Sequence, residues 1–385
     1  MRLEAAFLSD AALRRVFALM EAGGHRAYVV GGAVRNALMG RVVSDVDLAT
    51  DAPPGRVVEL ARASGIKAVP TGIEHGTVTL IVDGTAFEIT TFRRDVETDG
   101  RRAVVAFSAS VADDAARRDF TMNALYADAA GDLLDPVGGL ADLRHREIRF
   151  VGTPIDRIRE DYLRILRFFR FLAWYGETSA PEALDAIRAS VAGLARVSAE
   201  RIGAELRKLL AAPDPAPAVT LMEETGVLQQ ILPGADAGRL ARLAEVEAEH
   251  GATADWRRRL AALGAADAGD RLRLSRAEAG YLRDIAAASE MDAGEAAYRL
   301  GTEVARDMAL IRLAHGAALP ADWTAQIRRA AEAPLPVQAR DLMPALTGPA
   351  LGRGLKLAET LWIETGFTAS KPALIDAALL AAEEP

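Results

Sequence analysis

Cysteine is absent from all 385 residues, which excludes disulfides, thiolate metal sites and cysteine nucleophiles. The absence agrees with a reducing compartment, and the cytoplasm is the expected location. No apolar run approaches the ~20 residues that a membrane-spanning helix needs, so no membrane partner is expected. A surplus of positive charge is lacking too. The net charge is -8, which argues against a protein that coats nucleic acid over its whole surface, because phosphate binding needs Lys and Arg. The first twenty residues place Glu4 and Asp10 among apolar positions and offer no cleavage-like small-residue site. They read as an amphipathic helix rather than an export signal.

What is present is a globular balance, 50% hydrophobic and 26% charged, in a chain long enough for two or more domains. Charge is unevenly spread: from Arg144 to Lys208 there are 13 Arg or Lys against 9 Asp or Glu, a locally basic stretch able to hold a phosphate backbone. Short alternating runs predict strands over Arg26–Val30, Ser44–Ala49, Thr77–Val82, Ala86–Phe92 and Ala124–Asp128. Helices are expected at Ala33–Met39 and Pro53–Ala63. Arg93 to Asp113 is polar, contains Gly100 and lacks a clear period, and reads as a mobile loop. From Ile155 onward apolar residues fall at helical spacing, so the remainder is expected to be helical, with Pro213, Pro215 and Pro217 as a further break.

Three constellations carry chemistry. In Gly31-Gly32-Ala33-Val34-Arg35 a strand runs through a glycine pair into a helix bearing an arginine, which is a phosphate-shaped corner. A lone Gly-Gly turn is more often structural. Next, Asp45 and Asp47 stand at i and i+2 on an expected strand and would project from one face, as a Mg²⁺ pair requires. An isolated Asp-x-Asp is ordinarily a solvated strand end, but its place after the glycine corner strengthens the metal reading. Glu88, interrupting an apolar strand, is a third candidate ligand and equally an exposed edge residue. Then Arg117-Arg118-Asp119 with Asn123 packs cations, an acid and an amide that suit ribose and phosphates, or form a solvated helix face.

The run from Arg159 to Phe171 is expected as one helix, with Asp161 and Arg164 one turn apart. They are either a surface ion pair or a donor and acceptor set that reads a base edge, since cytosine and adenine share an exocyclic amine beside a ring acceptor. Arg167 and Arg170 continue the series toward where a triphosphate or RNA end would lie.

With these residues assembled, the chain resembles the class II tRNA nucleotidyltransferase and bacterial poly(A) polymerase family, more closely its CCA-adding members. The likeness covers roughly residues 26 to 210. It rests on Gly31 to Arg35 with Asp45-Val46-Asp47, Arg117-Arg118-Asp119 to Asn123-Ala124, Asp135-Pro136-Val137-Gly138-Gly139, Glu160-Asp161-Tyr162-Leu163-Arg164, and Glu200-Arg201 with Glu205-Leu206.

The resemblance implies an α/β nucleotidyltransferase head of the polymerase-beta-like type with a mixed β-sheet, followed by an all-helical neck, body and tail. The expected division is 1–150, 151–212 and 213–385. It implies that Asp45 and Asp47 carry catalytic Mg²⁺, that Gly31, Gly32, Arg35, Arg118 and Asn123 serve the nucleotide's phosphates and ribose, and that Asp161 and Arg164 read the base beside Arg167 and Arg170. CTP, ATP and tRNA are the implied substrates, and the Arg93–Asp113 stretch would correspond to the family's flexible loop. Poly(A) synthesis, addition of only CC or only A, and an inactive RNA-binding protein are the alternatives. One departure stands out: the glycine motif ends in Asn36, where the family usually has aspartate. The five histidines are scattered, with no His-Asp pair of an appended phosphohydrolase.

Overall fold

In the computed structural model, which describes residues 1–99, 102–265 and 267–380, the chain forms two compact units, Met1–Ile231 and Leu232–Pro385. No helix among the described residues is long and apolar enough to cross a membrane.

The first unit is built on a seven-stranded sheet with β1 (Ala27–Val30), β2 (Leu48–Thr50), β3 (Lys67–Gly72), β4 (Thr77–Val82), β5 (Thr85–Thr91), β8 (Tyr126–Ala127) and β9 (Leu133–Leu134). Its order is β3-β4-β5-β2-β1-β8-β9. Only β2 and β5 run parallel; the other neighbours are antiparallel, so the sheet is mixed, as expected. Helices α1 (Ala11–Ala22), α2 (Gly32–Leu38) and α3 (Pro54–Ala63) belong to this part. Alternation explains β4, where Val78, Leu80 and Val82 are buried and the intervening residues are half-buried.

Several expectations are corrected. The N-terminal run is not one helix. Asp10 interrupts it, and its carboxylate accepts the Leu13 N–H at 2.9 Å to cap α1, a use for a short acid that outcompetes a mid-helix position. Ser44–Ala49 is not a strand through its length: Arg41 to Asp47 is irregular, and β2 begins only at Leu48. Arg93–Asp113 is not a structureless loop. It holds β6 (Arg93–Asp99) and β7 (Arg102–Phe107), paired antiparallel, then α4 (Val111–Ala116). Gly100 lies outside the described residues. The pairing was not read because a two-stranded ribbon is held by backbone hydrogen bonds, and neither the polar β6 nor the unbroken apolar run 103–107 of β7 shows an alternating period.

After the sheet come α5 (Gly139–Arg144), the short strand β10 (Glu147–Ile148), α6 (Pro154–Glu160) and α7 (Leu163–Tyr175). Next are β11 (Thr178–Ser179), α8 (Pro181–Ser190), α9 (Ala199–Leu210), α10 (Ala216–Glu224) and α11 (Val227–Ile231). The two-residue parallel pairing of β10 with β11 is a small exception to the all-helical expectation. Phe120 and Phe150, joined by an isolated antiparallel bridge, pack on Phe168 and Phe171 of α7: Phe120 lies 5.0 Å from both Phe150 and Phe171, ring centre to ring centre. The second unit is helical among its described residues, from Ala237 to Leu379.

Candidate active site

The glycine corner is as the sequence suggests. Gly31 adopts φ +69°, ψ -117°, a conformation that L side chains avoid, and α2 starts at Gly32. A Cβ at Gly31 would meet Arg118 Nη1 at 3.4 Å. The glycine therefore turns the chain and also leaves room for that guanidinium.

Asp45 and Asp47 lie in the irregular segment before β2, not on a common strand face. Two contacts fix the segment's end: the Val30 N–H donates to Asp47 O at 3.0 Å, and Leu48 pairs with Ile89 across the parallel ladder. That register puts Asp47 beside Glu88. The Asp47 carboxyl is pushed above the usual carboxylate range, first by desolvation, then by the charges of Glu88 and Asp45, with Arg118 opposing. Glu88, which sequence alone left open, is thus part of the acidic group. Three carboxylates without a compensating partner among themselves are a set of hard oxygen donors suited to Mg²⁺-type cations. Their oxygens do not all lie within 4.8 Å of one another. Among the described residues that spacing is met by Asp255, Glu303 and Asp307 in the second unit. Those three are already compensated: Arg257 lies 2.6 Å from both Asp255 and Glu303, and Arg258 lies 2.7 Å from Asp307.

Arg118 is held by a residue that the sequence reading passed over. Asp114 on α4 is buried and accepts from Arg117 Nε at 2.8 Å, from Arg118 Nη2 at 2.8 Å and from the Tyr126 hydroxyl at 2.7 Å. Burial alone would raise this carboxyl; the two arginines and the Tyr126 hydroxyl hold it below its ordinary value. The signal was available, since Asp114 stands three and four residues before Arg117 and Arg118. The expected loop ends at Asp113 and the charged cluster begins at Arg117, so Asp114 falls between the two.

Arg35 is buried. Its fork donates to Asn123 Oδ1 at 2.5 Å, to Asn36 Oδ1 at 2.9 Å and to the Tyr175 hydroxyl at 3.0 Å, and its Cζ lies 4.0 Å from the Tyr175 ring centre. Asn123 Nδ2 donates to Asp119 Oδ1 at 2.9 Å, and Arg167 donates to Asp119 Oδ2 through Nε at 2.9 Å. Arg170 Nε lies 2.7 Å from Glu205, which is also 3.8 Å from Arg167. A chain of alternating charge thus runs from the glycine corner to α7 and α9. Tyr175 could not be found from sequence, because its link to Arg35 spans 140 positions.

The expected continuous helix from Arg159 is corrected to two. It breaks at Asp161, whose backbone is extended (φ -153°, ψ 107°), between α6 and α7. Asp161 and Arg164 do not pair with each other. The Asp161 carboxylate accepts from the Leu163 N–H at 3.1 Å and from Arg201 Nη2 at 2.6 Å, whereas Arg164 Nη1 donates to the Arg157 carbonyl at 2.7 Å and to Glu160. The ring of Tyr162 occupies the space that a side chain at Gly193 would need. Arg157, another residue missed, donates to the Arg118 carbonyl at 3.0 Å and to Glu160, tying α6 to the Asp114 network.

The mixed sheet, the acidic group beside its central strands and the adjoining arginines define a nucleotidyltransferase head of the polymerase-β type. Residues 27–149 match the family described as "Poly A polymerase head domain", and residues 178–238 match "Probable RNA and SrmB- binding site of polymerase A". The CCA-adding enzyme of Geobacillus thermodenitrificans is 44% identical over 213 residues, covering 55% of this chain and 52% of that one. The human mitochondrial CCA tRNA nucleotidyltransferase 1 is 44% identical over 190 residues, 48% of this chain and 44% of that one. The chain thus spans about half the length of the curated relatives it matches. The crystal structure of the Bacillus stearothermophilus CCA-adding enzyme in complex with CTP is 30% identical, with 97% of both chains covered and a TM-score of 0.73. The chain belongs to the class II tRNA nucleotidyltransferase and bacterial poly(A) polymerase family.

Proposed function

We propose that this protein adds the 3′-terminal CCA to tRNA, using CTP twice and ATP once. The observation that carries the reading is the likeness across 97% of both chains to a CCA-adding enzyme crystallised with CTP, in a protein whose own acidic group, Asp45, Asp47 and Glu88, suits phosphoryl transfer. The RNA 3′-hydroxyl attacks the nucleotide α-phosphate in line and pyrophosphate leaves; the protein chiefly positions groups and neutralises charge. Asp45, Asp47 and Glu88 would hold Mg²⁺, which when bound supplies Lewis-acid charge to the hydroxyl and the phosphates.

Around them, Gly31 and Gly32 leave the backbone open to the triphosphate, and Arg118, anchored by Asp114, faces the phosphates and ribose. Arg35 and Asn123, committed to internal partners, hold that corner in shape. Asp161 and Arg164, oriented separately by Arg201 and by Glu160, read the amine and ring acceptor shared by cytosine and adenine. Arg167 and Arg170 back them. In this reading residues 1–150 are the catalytic head, 151–212 the neck and 213–385 the body and tail that bind tRNA, and the protein works in the cytoplasm.

The test is to incubate the protein and Mg²⁺ with tRNA lacking its terminal CCA, supply CTP, ATP or both, and sequence the 3′ ends. Ordered CC followed by a single A is expected. A run of A would make it a poly(A) polymerase, and no extension would reduce it to an RNA-binding protein.

A further inference from the structure

Asn36 closes the glycine motif, and its side chain has two partners of opposite polarity. Oδ1 accepts from Arg35 Nε at 3.2 Å and Nη2 at 2.9 Å; Nδ2 donates to the Val42 carbonyl at 3.1 Å. The orientation of the amide is dictated by chemistry, since a guanidinium only donates and a carbonyl only accepts. Val42 lies in the irregular segment that carries Asp45 and Asp47. The beginning of that segment has two further holds: the Arg41 N–H donates to Asn36 O at 2.8 Å, and the Arg41 guanidinium lies 5.0 Å from the Tyr175 ring centre, as Arg35 does at 4.0 Å. Val42 itself is 88% exposed, so no core packing fixes it.

We infer that Asn36 is a positioning residue for the catalytic aspartates: its amide clamps the segment Arg41–Asp47 to Arg35 and, through Arg35, to Tyr175 of α7. An ionised carboxylate at this position would keep the Arg35 contact and lose the other, because it has no proton to donate and would face the Val42 carbonyl with like polarity. Asparagine here is therefore a different clamp from aspartate, made of a donor as well as an acceptor. The inference rests on the proposed nucleotidyl transfer for its catalytic consequence, but the clamp itself has a readout independent of activity.

The experiment compares wild type, Asn36→Asp and Asn36→Ala as full-length proteins, after thermal melting shows that each folds. Limited trypsin digestion with mass spectrometry reads cleavage after Arg41, the bond next to the clamped carbonyl. Both variants are expected to be cut there about threefold faster or more, with other sites unchanged. Steady-state CCA addition is expected to show kcat lowered about tenfold in both, with KM for CTP and ATP within about twofold, the pattern of misplaced reacting groups rather than lost binding. Equal cleavage after Arg41 in all three proteins would overturn the clamp whatever the activity. Faster cleavage with kcat unchanged in both variants would overturn its role in positioning the aspartates. A wild-type protein that transfers no nucleotide would instead remove the proposed function, with the cleavage comparison still deciding the clamp.

Discussion

At the scale of single residues, Asp119 illustrates how position is set by charge. Burial would raise its carboxyl, but Arg167, with hydrogen bonds from Asn123 and the Phe120 N–H, holds it down at about 2. A folded value below the unfolded 3.8 means stability that is fully present above about pH 4 and is lost as pH falls through the folded value. Asp119→Asn is therefore expected to lower stability at pH 7 by about 2 kcal/mol and to flatten the acid limb between pH ~4 and ~2, as measured by urea unfolding across pH. Asp45→Ala is expected to abolish nucleotide addition while moving the melting temperature by only a degree or two, because the residue is exposed. Rapid turnover by that variant would remove Asp45 from the chemistry. Asp45, Asp47, Arg118 and Asp161 could be singled out as candidates because each sits within a short local pattern. Asp114 was legible in spacing alone. Tyr175 was not legible, because its partner is fixed by tertiary packing.

Among the elements, the break between α6 and α7 sets where Asp161 points, which under the proposed function is where the nucleotide base is read. Asp161 leaves the helix there and its carboxylate turns to Arg201, a geometry that an unbroken helix would forbid. Tyr162 fills the break, and a Cβ at Gly193 would come within 1.9 Å of its ring. Gly193→Ala is thus expected to shift Tyr162 and Asp161 together, raising KM for CTP and ATP severalfold with little change in tRNA binding, measured by filter binding alongside kinetics. An unaltered KM would remove this contact from the proposed reading of the base. Periodicity found both helices but not their break, because the apolar positions continue in phase across it and only the φ, ψ of Asp161 reveals the change. The central strands were legible from alternation. The β6 and β7 ribbon was missed because neither the polar β6 nor the unbroken apolar run of β7 alternates, and β2 was overextended because the alternation from Ser44 to Asp47 runs into it although those residues join no ladder.

For the whole molecule, opposing charges are distributed with purpose in both units. In the second, Glu247, Arg258, Arg259 and Asp307 are all buried, and Arg258 lies 2.7 Å from both Glu247 and Asp307. Removing one member strands the others, so Glu247→Ala is expected to cost about 3–5 kcal/mol in chemical denaturation, with the loss confined to the unfolding of that unit. In the first, the basic stretch from Arg144 to Lys208 lies in a chain of net charge -8. KM for tRNA is accordingly expected to climb steeply with salt, on a log-log plot of slope set by the phosphates neutralised, whereas KM for CTP should change less. Sequence composition made this imbalance visible; which arginines are already spent on internal carboxylates became visible only in the folded chain.

The parallel pairing of β2 with β5 imposes an order on the protein's birth. The three-residue strand that follows the aspartates lies between β1 and β5, so its second neighbour is not synthesised until some forty residues after it. The neighbour on the far side of β1, β8, comes later still. A ribosome elongating at roughly 5–20 residues per second therefore leaves Asp45 and Asp47 for several seconds with β1 alone to pair beside them, before β5 and its Glu88 exist. Asp45, Asp47 and Glu88 can therefore meet only once β5 has been made and paired with β2, so the acidic group is a product of the assembled sheet and not of the local motif.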